Sequence, residues 1–101
     1  MAKFVYLYSG APMADTHQAQ EEAMQEWTAW FGGLGSSVSD IGNPFGVSAT
    51  VGAGGTSSEA SGFGGYSVIE ADSLDDATAK ASGCPALKSG GKVEVYEAVP
   101  M

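Results

Sequence analysis

The sequence contains no arginine and only four basic residues, all lysines, against 12 acidic residues, so the formal net charge is −8. Proteins that hold nucleic acid rely on clustered lysine and arginine, which neutralise phosphates and release counterions. We therefore predict no nucleic-acid partner. Arginine is also the side chain that most often holds a carboxylate or phosphate through two parallel hydrogen bonds. Any small ligand is expected to be neutral, aromatic or cationic, or to be met by backbone N–H groups.

Cysteine and histidine occur once each, as Cys84 and His17. A lone cysteine cannot form a disulfide within the chain, and one histidine makes a zinc or iron site a poor expectation. We predict no metal and no cofactor. The apolar run near the N-terminus covers only residues 4–8, too short for a signal-peptide core or a membrane span. We expect a soluble, cytoplasmic protein.

A chain of 101 residues suits a single domain, residues 1–101, with a modest core. Runs rich in β-branched and aromatic residues predict strands, and apolar residues at spacings of three and four predict helices. The expected strands lie at 3–8, 37–41, 47–51, 66–71 and 92–99, and the expected helices follow Asp15 and Ser73. Residues 52–65 are dense in glycine, serine and threonine, and we expect a mobile surface loop there.

The glycines at residues 62–65 raise the question of a phosphate-binding loop. In such loops the glycines follow a strand and open a helix, so that free N–H groups face the anion. Here the glycines precede the strand, and the helix opens at residues 72–76 with three aspartates and no glycine. We interpret the stretch as scaffold.

Strand, helix and strand follow one another twice, which is the split βαβ pattern of ferredoxin-like α+β folds. Such a fold has an antiparallel sheet with both helices on one face. The strands at residues 4–8 and 66–69 are apolar on both faces, so the second face needs a cover too. A second copy of the chain is the simplest cover, and it predicts a homodimer in which two sheets enclose an apolar cavity, a dimeric α+β barrel.

Residues 64–85, GGYSVIEADSLDDATAKASGCP, followed by KVEVYEAV at 92–99, resemble the YCII-related family, including its DGPF-type members. The family shows a glycine-led strand there, then an acidic capped helix that ends before proline, and a closing strand rich in valine and glutamate. FVYLYSG and EWTAWFGGLG in the first half are similar in a less specific way. The resemblance implies a small member of the dimeric α+β barrel superfamily with a ferredoxin-like protomer.

One branch of that family carries a histidine and an aspartate at the mouth of the barrel, which are proposed to transfer protons. The family's histidine corresponds to Gln25 or its neighbours, and GNPF at residues 42–45 stands where the family has DGPF. His17 lies about two helical turns earlier. If the helix packs back across the sheet, Asp40 could orient His17 as a general base, so both are candidate catalytic residues. The alternatives are an exposed His17 and an Asp40 that caps the following turn.

Aromatic residues supply the candidate ligand contacts. A tyrosine in an apolar strand needs a partner for its hydroxyl, and either a cavity or the core can provide one. Trp30 lies in an aromatic cluster at helical spacing, for which packing between helix and sheet is the commoner role. The predicted ligand-binding residues are Tyr6, Tyr8, Trp30, Phe45 and Tyr66.

Two functions remain open at this point. The first is a small-molecule-binding dimer that accepts a neutral or aromatic metabolite. If it is an enzyme, the resemblance implies a cofactor-free isomerase or lyase that acts by proton transfer, with Asp40 as the main participant. The second is a structural or interaction module whose barrel is filled by side chains. The sequence does not decide whether the chain is an enzyme.

Overall fold

The computed structural model describes residues 2–10, 16–57 and 62–100. These residues form six strands, two α-helices and two short 3-10 segments. In chain order the strands and helices are β1 (Ala2–Ser9), α1 (His17–Leu34), β2 (Val38–Asp40), β3 (Thr50–Gly52), β4 (Gly55–Ser57), β5 (Phe63–Ala71), α2 (Leu74–Ala81) and β6 (Lys92–Glu97). The 3-10 segments are Gly35–Ser37 and Pro85–Ser89.

Four strands form the main sheet in the order β2, β5, β1, β6, and each neighbouring pair is antiparallel. β5 therefore separates the parallel strands β1 and β2, and β1 separates β5 from β6. This arrangement is the split βαβ topology of ferredoxin-like folds. The predicted α+β architecture, with an antiparallel sheet and two helices, is confirmed.

The helices cover one face of this sheet. Alternate residues of β1 and β5 point into that layer, because side chains on a strand alternate between faces. Phe4 lies opposite Ile69 and Tyr6 opposite Ser67 in the antiparallel register. The buried apolar cluster between sheet and helices consists of Phe4, Tyr6, Ile69, Ala71, Ala77 and Ala81.

The first helix begins with a side-chain cap. The hydroxyl of Thr16 accepts a hydrogen bond from the N–H of Ala19 at 3.0 Å, which satisfies one of the free N–H groups at the helix start. The sequence predicts the cap at Asp15, a residue outside the described ones. Gln18, the predicted partner of that cap, instead donates to Glu22 one turn later at 3.3 Å.

The end of the first helix is later than the glycines suggest. GGLG at 32–35 predicts unwinding there, yet Gly32 and Gly33 are helical and α1 continues to Leu34. A glycine inside a helix costs only about 1 kcal/mol relative to alanine, which a helix packed on a sheet can absorb. Gly35, at φ 58°, ends the helix, since glycine adopts positive φ without steric penalty.

The second helix has the predicted cap. The hydroxyl of Ser73 accepts from the N–H of Asp76 at 3.1 Å, and Oδ2 of Asp76 accepts from the N–H of Asp72 at 3.1 Å. Oδ1 of Asp76 also accepts from Nζ of Lys80 at 2.8 Å. The hydrogen bond from Lys80, and then that from Asp72, hold the pKa of Asp76 below its ordinary value.

Residues 50–57 form a small hairpin of their own, in which β3 pairs only with β4. The prediction of a strand at 47–51 and a loop at 52–65 is wrong in part. The strand starts at Thr50, residues 55–57 return along it, and β5 already begins at Phe63. The glycines that suggested a continuous loop include Gly52 and Gly55, which face each other as the last pair of the hairpin. Residues 58–61 of the predicted loop lie outside the described ones.

The last predicted strand is shorter than its sequence pattern. β6 ends at Glu97, and Val99 is largely exposed beyond it. Cys84 is buried, as expected for a small apolar side chain, and burial raises the pKa of its thiol to about 11. In the described part of the chain, neither helix has the length and apolar character to cross a membrane. No group of three metal-binding side chains occurs among those same residues.

Candidate functional site

The sheet face opposite the helices is the surface on which the candidate site lies, and we call it the open face. Its residues follow from register, because residues directly opposite each other on antiparallel strands share a face. The open face consists of Lys3, Val5, Leu7, Tyr66, Val68, Glu70, Glu94 and Tyr96, with Asp40 of β2 at its edge, where it pairs with Val68 beside a register irregularity. Its central residues are apolar and half-buried, and the two helices among the described residues pack on the other face.

Two rows of side chains cross this face. In one row Val68 of β5 lies between Asp40 of β2 and Val5 of β1, and Tyr96 of β6 lies beyond Val5. In the next row Leu7 of β1 lies between Tyr66 of β5 and Glu94 of β6. Both rows are apolar in the middle. Each row ends at an acidic side chain, on opposite edges of the sheet.

The loop after β2 is fixed on β5 by backbone contacts. The N–H of Phe45 donates to the carbonyl of Gly64 at 2.8 Å, and the N–H of Tyr66 donates to the carbonyl of Asn43 at 3.2 Å. Pro44 forms a bridge with Gly65 between these two bonds. The GNPF run thus acts as an added edge to the sheet, so it holds the side chain of Phe45 in a defined place.

Two glycines make this close approach feasible. Gly42 has φ 77°, and a Cβ added there would lie 1.7 Å from the carbonyl oxygen of Tyr66. A Cβ on Gly65 would lie 3.1 Å from the carbonyl oxygen of Asn43. Only glycine fits at position 42, since any side chain meets both backbone strain and backbone atoms.

An aromatic pair and a carboxylate meet at this edge. The rings of Phe45 and Tyr66 stack with centroids 5.8 Å apart and planes 18° from parallel. Asp40 pairs with Val68 of β5, beside a register irregularity between Val38 and Asp40. Oδ1 of Asp40 accepts from the N–H of Gly42 at 2.9 Å, which is the turn-capping bond expected as the alternative role of this residue. The same bond fixes the orientation of the carboxylate.

A buried hydroxyl links this edge to the covered face. Ser67 is fully buried, and its Oγ donates to the carbonyl of Ile41 at 2.6 Å while accepting from the Tyr8 hydroxyl at 2.8 Å. The buried Ser67 hydroxyl therefore has a hydrogen-bond partner both as donor and as acceptor. The chain of bonds from Tyr8 through Ser67 to Ile41 holds the start of the loop that follows Asp40.

Two of the predicted ligand-binding tyrosines lie on the covered face. The Tyr6 hydroxyl donates to the carbonyl of Ala77 at 2.5 Å, and burial is the main reason that its pKa rises to about 12. Burial also raises the pKa of Tyr8, against the lowering effect of its bond to Ser67. Both hydroxyls find their partners within the chain and stay protonated at neutral pH.

Trp30 lies in the same layer. Its ring is 6.0 Å from that of Tyr6, and its Nε1–H donates to the carbonyl of Lys80 at 3.2 Å. Trp27 meets Tyr8 edge to face at 4.9 Å. These contacts join α1 to the sheet and to α2, as aromatic packing between layers does.

His17 is at the first residue of α1 and is 85% exposed, with Nδ1 3.3 Å from Oε1 of Glu21. Its described partner is therefore the helix neighbour and not Asp40. Of the predicted site residues, the structure brings together Asp40, Phe45 and Tyr66 on the open face. It groups Tyr6, Tyr8 and Trp30 on the covered face, and it leaves His17 at a helix end.

The central part of this surface was not among the predicted site residues. Val5 and Leu7 belong to the strand that is apolar on both faces, and the sequence gives no further signal for a site there. In KVEVYE, the alternation of valine with Glu94 and Tyr96 is typical of a strand with one polar face. They lie on the open face, where the Tyr96 hydroxyl donates to Oε1 of Glu94 at 2.8 Å and the pKa of Tyr96 is raised by that carboxylate.

The open face is not an enclosed pocket in a single chain. In the described residues, the best-formed depressions are two open grooves away from its centre. One, of about 340 Å³, is lined by Phe45, Gly46, Val47, Ser48, Ala49, Thr50 and Phe63. The other, of about 580 Å³, is lined by Ala2, Lys3, Asp72, Glu97, Ala98, Val99 and Pro100.

A solved structure shares this fold. It is 5-chloro-2-hydroxyhydroquinone dehydrochlorinase (TftG) from Burkholderia phenoliruptrix AC1100, in complex with 2,5-dihydroxybenzoquinone. The likeness covers 96% of this chain and 93% of that chain, with a TM-score of 0.60 and 19% sequence identity. No known protein family and no curated protein matches the sequence. At this identity the likeness establishes the α+β fold over nearly the whole chain and does not by itself assign an activity.

Proposed function

We propose that this chain is a small-molecule-binding protein of the YCII-related type that works as a homodimer. The open faces of two copies enclose an apolar cavity, as in a dimeric α+β barrel. The apolar centres of the two rows support this arrangement, because the helices among the described residues cover the other face of the sheet. The cavity walls then come from Val5, Leu7, Tyr66 and Val68 of each copy.

The observation that carries the proposal is the stacked pair of Phe45 and Tyr66, at the sheet edge where Asp40 pairs with Val68. Two nearly parallel rings form a flat apolar surface, on which a planar ring can stack. Asp40 at the rim favours a neutral or cationic group over an anion, because a second negative charge would be repelled. The ligand we propose is a small planar aromatic compound with hydroxyl or carbonyl groups.

The chemistry we propose is cofactor-free proton transfer with Asp40 as general base. A carboxylate held by one backbone N–H keeps its orientation while its other oxygen can accept a proton. The solved neighbour is by its name a dehydrochlorinase, and loss of HCl is an elimination that begins or ends with removal of a proton. The same class of reaction, elimination or isomerisation on a small ring, suits the groups at this edge.

The second candidate function is a structural or interaction module whose barrel is filled by side chains. It is favoured by the position of three predicted ligand residues, since Tyr6, Tyr8 and Trp30 lie on the covered face, away from the proposed cavity, and their polar atoms bond within the chain. It is also favoured by His17, which is exposed at a helix end. In that case the open faces meet side chain to side chain, and no ligand volume remains between them.

Ligand binding separates the two candidates. With 2,5-dihydroxybenzoquinone as the probe, the binding proposal expects a rise in Tm that grows with probe concentration, since a ligand that binds only the folded state stabilises it. Phe45→Ala should abolish most of that rise. Leu87→Ala is the matched control, because Leu87 is 43% exposed against 45% for Phe45 and lies in the helix layer. If the Tm of the wild-type protein rises neither with this probe nor with related hydroquinones, the result favours the structural or interaction module with a filled barrel.

Turnover tests the role of Asp40. A panel of hydroquinones, including the substrate named for the solved neighbour, is the starting assay. Asp40→Asn keeps an oxygen for the N–H of Gly42 and removes the base, so any turnover should fall by a factor of about 10² to 10⁴. Wild-type rates in that variant, with probe binding unchanged, would exclude Asp40 as the base.

A further inference from the structure

The segment from residue 41 to 57, which we call the arm, is almost entirely on the surface. All of its residues except Gly42 are exposed. Four of them are large and apolar: Ile41, Phe45, Val47 and Val51. The arm contains no charged residue, although the chain as a whole carries 12 acidic and 4 basic residues. An uncharged, apolar and exposed segment of this length is typical of an interaction surface.

Beyond its base, the described part of the arm is paired within itself. Among the described residues β3 pairs with β4, and a two-stranded hairpin is marginally stable in water unless it packs against a further element. Contact with another surface would therefore stabilise this hairpin.

The base of the arm lies at the open face. Pro44 bridges to Gly65 and the ring of Phe45 stacks on Tyr66, so the arm leaves the sheet at the edge formed by β2 and β5. The groove of about 340 Å³ at this point is lined by seven residues, none of them charged. Any body that covers the open face must therefore meet the arm.

The arm and the open face form one continuous surface, because Pro44 and Phe45 of the arm contact β5 beside Tyr66. Each partner in a dimer of standard size buries about 800 Å² of accessible surface. The arm adds exposed apolar side chains to the area that the open face can bury.

Charge points to a second copy as the occupant. At a net charge of −8, two copies repel each other except where their contacting surfaces are uncharged. The arm has no charged residue, so two copies can meet on it without burying a carboxylate, whereas the open face carries Glu70 and Glu94 around its apolar centre. A basic partner would instead be attracted to the acidic surface elsewhere on the chain.

We propose that the arm of each chain packs against the second copy and closes one end of the ligand cavity, so that each site is completed by Val47 and Val51 of the other chain. This inference rests on the homodimer proposed above. It adds that the dimer interface extends beyond the sheets, and that the wall of each cavity comes from both copies.

The test compares two double variants by sedimentation equilibrium. Val47→Glu with Val51→Glu places two carboxylates on the arm. Met24→Glu with Leu74→Glu places the same two charges on exposed apolar positions of the helix layer, 70% and 53% exposed. We expect the arm variant to dimerise about tenfold more weakly or worse, because carboxylates resist burial in an apolar contact. The helix-layer variant should dimerise within about twofold of the wild-type protein.

Amide exchange gives a local readout that does not depend on substitutions. The amides of residues 50–57 should be protected at concentrations where the protein is dimeric and should exchange freely on dilution to the monomer. In Leu7→Glu, designed to break the open-face contact, they should exchange freely at all concentrations. Circular dichroism confirms that each variant is folded.

The outcomes separate the two proposals. A wild-type protein that stays monomeric overturns both the homodimer and the role of the arm. A dimer that Leu7→Glu dissociates, but that the arm variant forms as tightly as the wild-type protein, overturns the role of the arm alone. Arm amides whose protection is the same in monomer and dimer would also overturn it.

Discussion

The two faces of the main sheet differ in how far one chain completes them. On the covered face Phe4, Tyr6 and Ile69 are at most 1% exposed, and the Tyr6 hydroxyl has a partner. On the open face Val5 and Val68 are equally apolar in sequence but only half-buried. Burial within one chain therefore accounts for the apolar residues of the covered face and not for those of the open face. The proposed dimer would bury the residues of the open face.

The largest expected effect comes from neighbouring residues of β5 that point to opposite faces. Ile69→Ala should lower the free energy of unfolding by about 3 kcal/mol, because it leaves a cavity in a closed core. Val68→Ala should lower it by about 1 kcal/mol or less in the monomer, since its site is only half-buried. Urea unfolding in dilute solution measures both. Equal losses would show that the two faces are packed alike.

The next largest loss of stability is expected at Gly42, where the loop backbone contacts β5 at the edge of the open face. Gly42→Ala should cost about 2 kcal/mol, because alanine is strained at positive φ and its Cβ would collide with the carbonyl of Tyr66. Displacement of the loop should also remove the stacking of Phe45 on Tyr66 and with it the binding of the probe. Gly46→Ala, with nothing within 4 Å of the added Cβ, is the control in thermal unfolding and probe titration. A neutral Gly42→Ala would contradict this description of the loop.

The buried hydroxyl between the two faces gives a smaller effect. Ser67→Ala leaves the Tyr8 hydroxyl and the Ile41 carbonyl without their partner, which should cost about 1–2 kcal/mol. Tyr8→Phe removes only one of the two bonds and should cost less. The two variants are compared by chemical denaturation. A larger loss in Tyr8→Phe than in Ser67→Ala would contradict a role for Ser67 in holding the loop after Asp40.

The smallest effect on stability is expected at Asp76, in the first turn of α2. Its pKa is lowered in the folded state, so its contribution to stability is present above the ordinary pKa of aspartate and is lost as the pH falls through the folded value. Asp76→Asn should therefore lower Tm slightly at about pH 7 and make Tm less sensitive to acid. Scanning calorimetry at a series of pH values, from neutral to acidic, measures this change in Tm. Dimerisation should be unchanged, which makes this variant a control for the open face.

Local sequence signals predicted the parts of the fold that depend on neighbours in the chain. The cap of α2 by Ser73, the strand at β1 and the burial of Cys84 all follow from short patterns. The split βαβ order predicted that both helices cover one face of the sheet, and the described residues agree. Apolar residues on both faces of β1 and β5 predicted that the second face needs a further cover, which stays a prediction.

Long-range partners could not be predicted in the same way. The Tyr6 hydroxyl bonds to a carbonyl 71 residues away, and Trp30 bonds to one 50 residues away. Nothing near either residue in sequence tells whether its polar atom meets a ligand or the core. The predicted set of aromatic ligand residues therefore includes members of both faces, and only Phe45 and Tyr66 lie on the open one.

The hairpin of β3 and β4 shows a different limit. Its glycines and serines favour a loop. Only short runs pair, with Thr50 opposite Ser57 and Val51 opposite Thr56, so the sequence signal for two strands is weak. Strand pairing depends on the partner strand as much as on intrinsic preference. The absence of charge in the arm was readable in the sequence, but its meaning emerged only when the structure placed the base of the arm at the open face.

The most direct test of the central claim is the mass of the protein in solution. Sedimentation equilibrium at micromolar concentration should give twice the chain mass of 10.2 kDa for the wild-type protein. Leu7→Glu, which places a carboxylate in the middle of the open face, should give the mass of one chain with an unchanged circular dichroism spectrum. A wild-type protein with the mass of one chain would contradict the account.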